Sequence, residues 1–207
     1  MNHLAHFLLC PDDDGLRAGT LIADFARGTD LTAFAAPVEL GIRLHRRVDA
    51  LVDQSPQVDD LKPLVGGPLR RYAGILLDVF FDYALIQQWP AITSQPRPVF
   101  TIAVYAALER EEPRMPAAVR AVSARMRTHD ALASCATHTG CAHTLERIAQ
   151  RLKRPVDLAS GIDTLVRHEA QIVAAFLSLL PALRAGAHDY LSGSSRKIRP
   201  LDVSVNK

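Results

Sequence analysis

The sequence predicts an all-α protein built as a single helical-bundle domain, and three observations lead to this fold class. Apolar residues recur with helical periodicity along nearly the whole chain, and no segment shows the alternating pattern of a strand. Prolines and glycines stand between these periodic segments, where helices end. The length of 207 residues suits one domain with a substantial core better than two domains.

The first three predicted helices lie in the N-terminal quarter of the chain. An apolar segment over 4–9 ends at Pro11, and a second helix over 17–27 ends at Gly28, because glycine is typical of helix C-termini. Pro37 suits the first turn of a third helix. That helix carries an apolar stripe with the spacing of one helix face: Leu40, Leu44, Val48 and Leu51.

Prolines separate the remaining predicted helices. Their expected ranges are 69–88, 99–111, 117–134, 145–152 and a last long helix from 162 to at least 180. We expect residues 1–191 to form the domain. Residues 192–207 mix small, basic and polar side chains, so we expect them to form a loosely ordered tail.

Charge and hydropathy exclude several classes of protein. The chain has 24 basic and 22 acidic residues, a net charge of +2, so we expect no nucleic-acid partner. Its longest apolar segment, 170–183, is shorter than the roughly 20 residues of a membrane-spanning helix, and we expect no membrane partner. The N-terminus lacks the basic region of a secretion signal, and three cysteines show no disulfide spacing. We therefore expect a cytoplasmic protein of open oligomeric state.

The predicted helix over 69–88 places two carboxylates in apolar surroundings. Asp78 and Asp82 are one helical turn apart within ILLDVFFDYALI, and a helix that is apolar all round is typical of the centre of a bundle. Burying two like charges is costly unless cations or donors compensate them. Either a metal ion compensates both, or each carboxylate pairs with an arginine or caps a neighbouring segment.

The predicted third helix adds an imidazole and two further carboxylates. His45, Asp49 and Asp53 follow one another at steps of four residues and share one face. A neutral imidazole and a carboxylate one turn away can bind one divalent ion, although the same spacing also occurs on solvated faces. Arg46 and Arg47 beside them offer donors to a phosphate, or serve as surface ion-pair partners.

Two residues upstream extend this set. Asp24 has the apolar neighbours of a core-facing helix, and His6 lies in the N-terminal segment, as a ligand or as a hydrogen-bonded core histidine. Histidine with several aspartates predicts a mixed nitrogen and oxygen site for a cation such as Mn²⁺ or Mg²⁺. Such a site suits the hydrolysis of a phosphate ester.

Four motifs resemble the acyl-carrier-protein phosphodiesterases. They are N-x-LAH at 2–6, G-x-LIADF-x-RG at 19–28, GI-x-x-HRR-x-D-x-x-x-D at 41–53 and LDV-x-x-D at 77–82. The motifs occur in the order and at the spacing of that family. The resemblance is specific over the first ninety or so residues and continues weakly to Leu183.

The resemblance implies an all-helical fold distantly related to the HD-domain phosphohydrolases and a hydrolase that prefers Mn²⁺, with Mg²⁺ or another divalent cation as alternatives. It implies that the enzyme removes 4′-phosphopantetheine from a serine of holo acyl carrier protein and leaves the apo protein. By motif position, the implied metal ligands are Asp24, His45, Asp49 and Asp78, of which Asp24, His45 and Asp78 are also the catalytic residues. Arg46 and Arg47 are the implied phosphate contacts, and His6, Asp53 and Asp82 are their implied neighbours.

Two other functions fit the same residues. An HD-like phosphohydrolase acting on nucleotides or other small phosphate esters would use the same metal site, and a module that binds carrier proteins without chemistry would need no complete site. Because carrier proteins are acidic, the enzyme is expected to present a cationic rim. The candidates for this rim are Arg43, Arg70, Arg71, Arg120, Arg125 and Arg127.

The segment 129–143 is rich in cysteine and histidine. It contains Cys135 and Cys141 with histidines at 129, 138 and 143, a composition that suggests zinc. The Cys-x5-Cys spacing is unusual for a zinc site, and no paired CxxC accompanies it. We therefore predict a polar surface loop between helices here.

Overall fold

The computed structural model describes residues 2–197, and within this range it is all-α, as the sequence predicts. The relation to HD-domain phosphohydrolases stays a prediction. Short 3₁₀ turns connect eleven α-helices. These are α1 His3–Leu9, α2 Asp14–Ile22, α3 Ala36–Asp53, α4 Pro56–Leu61, α5 Ala73–Gln87, α6 Trp89–Ile92, α7 Arg97–Glu111, α8 Ala117–Thr128, α9 His138–Ala149, α10 Ile162–Arg167 and α11 Glu169–Lys197.

Helix α5 lies at the centre of the bundle, as its uniformly apolar sequence predicts. It packs against α1, α9, α11 and the 3₁₀ segment Ala131–Ala136. Leu76, Phe80 and Leu85 are fully buried, although they point in different directions from the helix axis. A carboxylate on an enclosed helix loses its contact with water, and this cost must be offset by a cation or by hydrogen-bond donors. The two aspartates of α5 therefore need such groups from neighbouring elements.

Helices α2 and α3 cross at two glycines that bring their backbones into contact. A Cβ atom on Gly41 would lie 2.9 Å from both the Cα and the carbonyl carbon of Leu16, and closer still to the carbonyl oxygen of that residue. A Cβ atom on Gly19 would lie 2.9 Å from the Cα of Gly41. The close approach fixes α3, which carries His45, against the helix that leads to Asp24.

Helix α11 closes the bundle with a buried stripe at helical spacing, namely Ile172, Phe176, Leu180 and Leu183. Residues 169–194 also meet the length and hydropathy criteria for a membrane span, with a mean hydropathy of 1.5. The sequence-based statement that the longest apolar segment, 170–183, is too short to span a membrane is corrected by this finding. This is weak evidence for a membrane, because core helices of soluble proteins meet the same criteria. The helix continues to Lys197, and residues 198–207 of the predicted tail lie outside the described residues.

Four predicted helices are interrupted. The helix over 17–27 ends at Ile22 and is followed by the 3₁₀ turn Ala23–Phe25. The helix over 69–88 begins as a 3₁₀ segment, Gly67–Tyr72, because Gly67 has a positive φ of 57° and Pro68 lacks an N–H group. The helix over 117–134 ends at Thr128, because Asp130 adopts the left-handed conformation at φ 44°. The last predicted helix divides at His168 into α10 and α11.

Candidate functional site

Helices α1 and α3 bring two histidines and one aspartate together. The imidazole rings of His6 and His45 are stacked, with their centroids 3.8 Å apart and an angle of 6° between their planes. Asp49 stands one turn after His45, and its Oδ1 lies 3.0 Å from Nε2 of His6 while its Oδ2 lies 3.2 Å from Nε2 of His45. Potential ligand atoms of these three residues all lie within 4.8 Å of one another.

The nitrogens of this cluster are close to oxygen atoms but poorly satisfied as hydrogen-bonding groups. Among the described residues, neither ring nitrogen of His6 has a hydrogen-bond partner with acceptable geometry, and Nδ1 of His45 has none. Buried polar atoms are nearly always paired in native proteins, so orphaned nitrogens need an explanation. A cation between the imidazole nitrogens and the carboxylate would account for the convergence of these groups and for the orphaned nitrogens of the two imidazoles.

Burial and charge keep the histidine and carboxylate in the protonation states that a metal requires. Desolvation lowers the pKa of His6 to about 3, so this buried imidazole is neutral near pH 7. Partial burial of Asp49 favours its neutral form, but the two adjacent imidazoles outweigh this effect and hold the pKa of Asp49 well below its usual range. A neutral imidazole beside an ionised carboxylate is the form in which both residues bind metal.

Asp24 forms the open edge of the cluster. It lies in the 3₁₀ turn Ala23–Phe25 that follows α2, and its side chain is 46% exposed. Its Oδ1 lies 3.5 Å from Nε2 of His45, and its Oδ2 lies 3.7 Å from Nδ1 of His3. The exposed carboxylate can therefore contact both a bound cation and a molecule that approaches from solvent.

Asp78 and Asp53 bring further negative charge to the same region. Desolvation is the main cause that raises the pKa of Asp78, and the charges of Asp49 and Asp53 add to the shift. Asp53 is exposed at the end of α3. A carboxylate whose ionisation is opposed by burial and by two like charges is one that a cation would stabilise.

Asp82 serves a different purpose from the one that its spacing to Asp78 suggests. Its Oδ2 accepts a hydrogen bond from the backbone N–H of Leu4, and its Oδ1 accepts one from that of Ala5, each at 3.1 Å. Burial raises the pKa of Asp82 well above its usual range, and these two donors oppose the shift. The expectation that both carboxylates of α5 point toward one ion is therefore wrong for Asp82, which instead fixes the start of α1 just before His6.

The two arginines predicted to contact phosphate differ in their surroundings. Nη2 of Arg46 donates to the carbonyl oxygen of Ala26 at 2.7 Å, which ties α3 to the segment after Asp24. Arg47 is exposed, and among the described residues it has no hydrogen-bond or ion-pair partner. Arg46 therefore positions the Asp24 segment, whereas Arg47 stays a predicted phosphate contact.

The candidate rim arginines are not equally free. Arg43 pairs with Glu39 at 2.7 Å and Arg127 with Glu112 at 2.5 Å. Arg125 instead lines a cavity between α8 and α9 whose other cationic residues, Arg147 and Arg151, the sequence analysis missed. Arg147 on α9 and Arg151 just after it are four residues apart, a spacing that the sequence shows. Only the three-dimensional structure shows that Arg125 on α8 lines the same cavity.

The cysteine-rich segment 129–143 is not a surface loop. Residues 131–136 form a 3₁₀ segment, and α9 begins at His138. Cys135 and Cys141 are 1% and 0% exposed and belong to the core. The prediction of a polar loop is therefore wrong, because threonine and glycine near a helix start resemble a loop in composition, whereas Thr137 accepts a hydrogen bond from Gly140 N as an N-cap.

An all-helical bundle that carries two buried imidazoles beside partly exposed carboxylates defines the class of this protein as a helical bundle with a candidate hydrolytic site. A sequence model of the family described as acyl carrier protein phosphodiesterase matches residues 1–183. The chain therefore belongs to the acyl carrier protein phosphodiesterase family and is a phosphodiesterase.

Named members of this family align with either nearly the whole chain or about half of it. The acyl carrier protein phosphodiesterase of Photorhabdus laumondii is 31% identical over 193 residues, which are 91% of this chain and 96% of the relative. That of Yersinia enterocolitica is 28% identical over 91% of this chain and 98% of its own length. That of Pectobacterium atrosepticum is 42% identical over 43% of this chain and 46% of its own length. No solved structure matches the chain significantly.

Proposed function

We propose that this protein is a metal-dependent hydrolase that removes 4′-phosphopantetheine from the serine of holo acyl carrier protein, and that Mn²⁺ is its preferred ion. The observation that carries the proposal is the convergence of ligand atoms of His6, His45 and Asp49 within 4.8 Å of one another. Among the described residues, both ring nitrogens of His6 and Nδ1 of His45 lack a hydrogen-bond partner at this point. The relatives from Photorhabdus laumondii and Yersinia enterocolitica are named acyl carrier protein phosphodiesterases, which supports the carrier protein as substrate. We also propose that the protein acts in the cytoplasm.

The donor set fits a hard or borderline divalent cation. Two imidazole nitrogens and a carboxylate with more carboxylates nearby suit Mn²⁺ or Mg²⁺, and no cysteine lies in the cluster. His6, His45 and Asp49 would hold the ion, with Asp24 and Asp78 completing the set. A bound ion supplies positive charge to a phosphate oxygen and makes an adjacent water molecule more acidic.

The protein's own residues orient the reactants around this point. Asp24 is the most exposed carboxylate of the cluster, so it is placed to accept a hydrogen bond from the attacking water. Arg46 holds the Asp24 segment through the carbonyl of Ala26, and Arg47 offers forked donors to the phosphate oxygens. Half-buried Asp78 would keep the inner wall of the site negative once a cation lowers its pKa.

The reaction is tested by incubating the purified protein with Mn²⁺ and holo acyl carrier protein and weighing the carrier by mass spectrometry. We expect the carrier to lose the mass of 4′-phosphopantetheine. Phosphate release from a nucleotide, with the holo carrier unchanged, would instead support the small-ester phosphohydrolase. A stable complex with no change in mass would support a binding module and reject the hydrolase.

The metal site is tested by substituting Asp49→Asn, which removes one charge but keeps the shape of the side chain. We expect Mn²⁺ affinity, measured by calorimetry, to fall at least tenfold. Substitution of residues that only hydrogen-bond to metal ligands already lowers metal affinity by roughly tenfold or more, and Asp49 is itself a proposed ligand. Asp60→Asn is the matched control, since Asp60 is exposed on α4 away from the cluster. Equal Mn²⁺ affinity in both variants would contradict the assigned ligand set.

A further inference from the structure

Beside the His6–His45–Asp49 cluster lies a cavity of about 210 Å³ whose wall is formed by α8, α9 and the N-terminal segment. His3 belongs to this wall and also approaches Asp24, with 3.7 Å between Nδ1 of His3 and Oδ2 of Asp24. The cavity therefore begins one side chain away from the edge of the candidate metal centre.

The cavity concentrates positive charge that carboxylates do not neutralise. Arg125, Arg147 and Arg151 all line it together with His129, and no aspartate or glutamate occurs among its described lining residues. Nη2 of Arg147 donates to the hydroxyl of Thr144 at 2.9 Å, which leaves the rest of its guanidinium available. The three arginines are exposed, and like charges gathered on one concave surface repel one another, so their convergence favours an anionic ligand.

The remaining surface of the cavity suits a thin chain that is partly apolar. Val122, Met126 and Ile148 form its apolar part, while Asn2 and Ser134 contribute polar atoms. Its volume of about 210 Å³ is below the roughly 300–1,000 Å³ of sites for drug-sized molecules. An anionic group that carries a partly apolar chain matches this combination of arginines and apolar side chains.

We propose that this cavity binds 4′-phosphopantetheine after its release, once the phosphate has left the candidate metal centre. The phosphate then faces Arg125, Arg147 and Arg151, and the chain lies along Val122, Met126 and Ile148. This inference rests on the proposed function. Cleavage converts the phosphodiester, with one negative charge, into a monoester that carries nearly two at pH 7. The arginines therefore bind the released arm more strongly than the uncharged pantetheine chain alone, and the free product competes with holo acyl carrier protein.

Calorimetry with the full-length protein and Mn²⁺ tests this assignment with three probes: 4′-phosphopantetheine, pantetheine and inorganic phosphate. We expect 4′-phosphopantetheine to bind at least tenfold more tightly than pantetheine. Arg125→Gln and Arg151→Gln should each weaken its binding about tenfold, because each removes a charge-assisted hydrogen bond, and should leave pantetheine and Mn²⁺ affinity unchanged. Arg120→Gln on the same helix as Arg125 is the matched control, because Arg120 lies outside the cavity.

Ile148→Phe tests the path of the chain independently of the arginines. Added volume in the apolar part should weaken both pantetheine compounds several-fold and leave the binding of inorganic phosphate unchanged. Thermal melting of every variant verifies that it is folded. If Arg125→Gln and Arg151→Gln bind 4′-phosphopantetheine as tightly as the wild type, the proposal is overturned.

The outcomes separate this inference from the proposed function. Release of the arm by the wild type, with no dependence on the arginines, would reject the cavity assignment and leave the hydrolase intact. Arginine-dependent binding of free 4′-phosphopantetheine without any release would support the cavity and reject the hydrolase. If the arginine variants lose affinity for apo acyl carrier protein but not for the free arm, the arginines form a docking surface for the carrier, and the proposal falls.

Discussion

Replacing Gly41 with alanine tests whether the close crossing of α2 and α3 sets the geometry of the site. The new Cβ would lie 2.9 Å from two backbone atoms of Leu16, whereas ordinary contacts lie between 3.4 and 4 Å. Because the obstructing atoms belong to backbone, no side-chain rotation relieves the clash. The helices must move apart, and the carbonyl oxygen of Leu16, which is closer than the other two atoms, sets the distance that they must move. Alanine itself favours helix by about 1 kcal/mol over glycine.

The expected magnitude follows from these opposing contributions. Overpacking costs about 1–3 kcal/mol, and the cost at Gly41 belongs near the upper limit because the clash is with backbone. After subtracting the gain of about 1 kcal/mol in helix propensity, we expect Gly41→Ala to lower the free energy of unfolding by about 2 kcal/mol. A control is provided by Gly74→Ala in α5, where a Cβ would meet nothing within 4 Å. That substitution should raise the free energy of unfolding by roughly 0.5–1 kcal/mol.

Urea denaturation measures both variants, and the midpoints should differ by roughly 1 M because the two changes in stability have opposite signs. Separation of α2 from α3 also moves His45 relative to Asp24, so Gly41→Ala should weaken Mn²⁺ binding, whereas Gly74→Ala should not. Equal stability of the two variants would show that the glycine contact is not tight and would refute the reasoning.

Three further outcomes follow from the same structure. Asp82→Ala should lower the free energy of unfolding by about 2–4 kcal/mol in chemical denaturation, because two buried amides of α1 lose their acceptor; wild-type stability would contradict the tether. Mn²⁺ at a hundredfold excess over its Kd should stabilise the protein by about 2.7 kcal/mol, which corresponds to a rise in Tm of roughly 5–10 °C. Chelation should reverse this rise, and the Asp49→Asn variant should show no rise in Tm when Mn²⁺ is added. Tyr83→Phe removes the hydrogen bond of 2.9 Å to Glu169 and should cost about 1 kcal/mol, measured as a shift in the urea midpoint.

The all-α class and the central position of α5 could be predicted because hydropathy alone decides them. The sequence ILLDVFFDYALI has no polar face, so the helix must be enclosed, and it is. Helix ends were harder to predict where backbone conformation decides them. Asp130 ends α8 by adopting a left-handed conformation that its own hydrogen bond with the hydroxyl of Tyr105 supports, and that partner lies 25 residues away in sequence.

In the candidate site, too, contacts within one helix could be predicted from the sequence, whereas contacts between helices could not. His45 and Asp49 share a helix face, so their proximity follows from spacing alone. His6 joins them only because Asp82, 76 positions later, fixes the start of α1. The spacing on α5 puts Asp82 one turn from Asp78. The Asp82 carboxylate nevertheless accepts hydrogen bonds from backbone N–H groups of α1, and the sequence of α5 does not show which neighbouring helix provides them. The cationic cavity was missed for the same reason, since α8 and α9 carry no shared sequence pattern.

The residues of the four motifs that lie away from the cluster explain why the cluster can form. Asp82 holds the first turn of α1, Gly41 lets α3 approach α2, and Arg46 ties the segment after Asp24 to α3. Each of these contacts fixes one of the three elements that deliver a ligand. His6 and His45 can therefore remain stacked at 3.8 Å with unsatisfied nitrogens, because backbone contacts elsewhere compensate for the cost of holding them there. A cation entering this cluster would meet ligands that are already positioned, so metal binding should leave the arrangement of α1 and α3 unchanged.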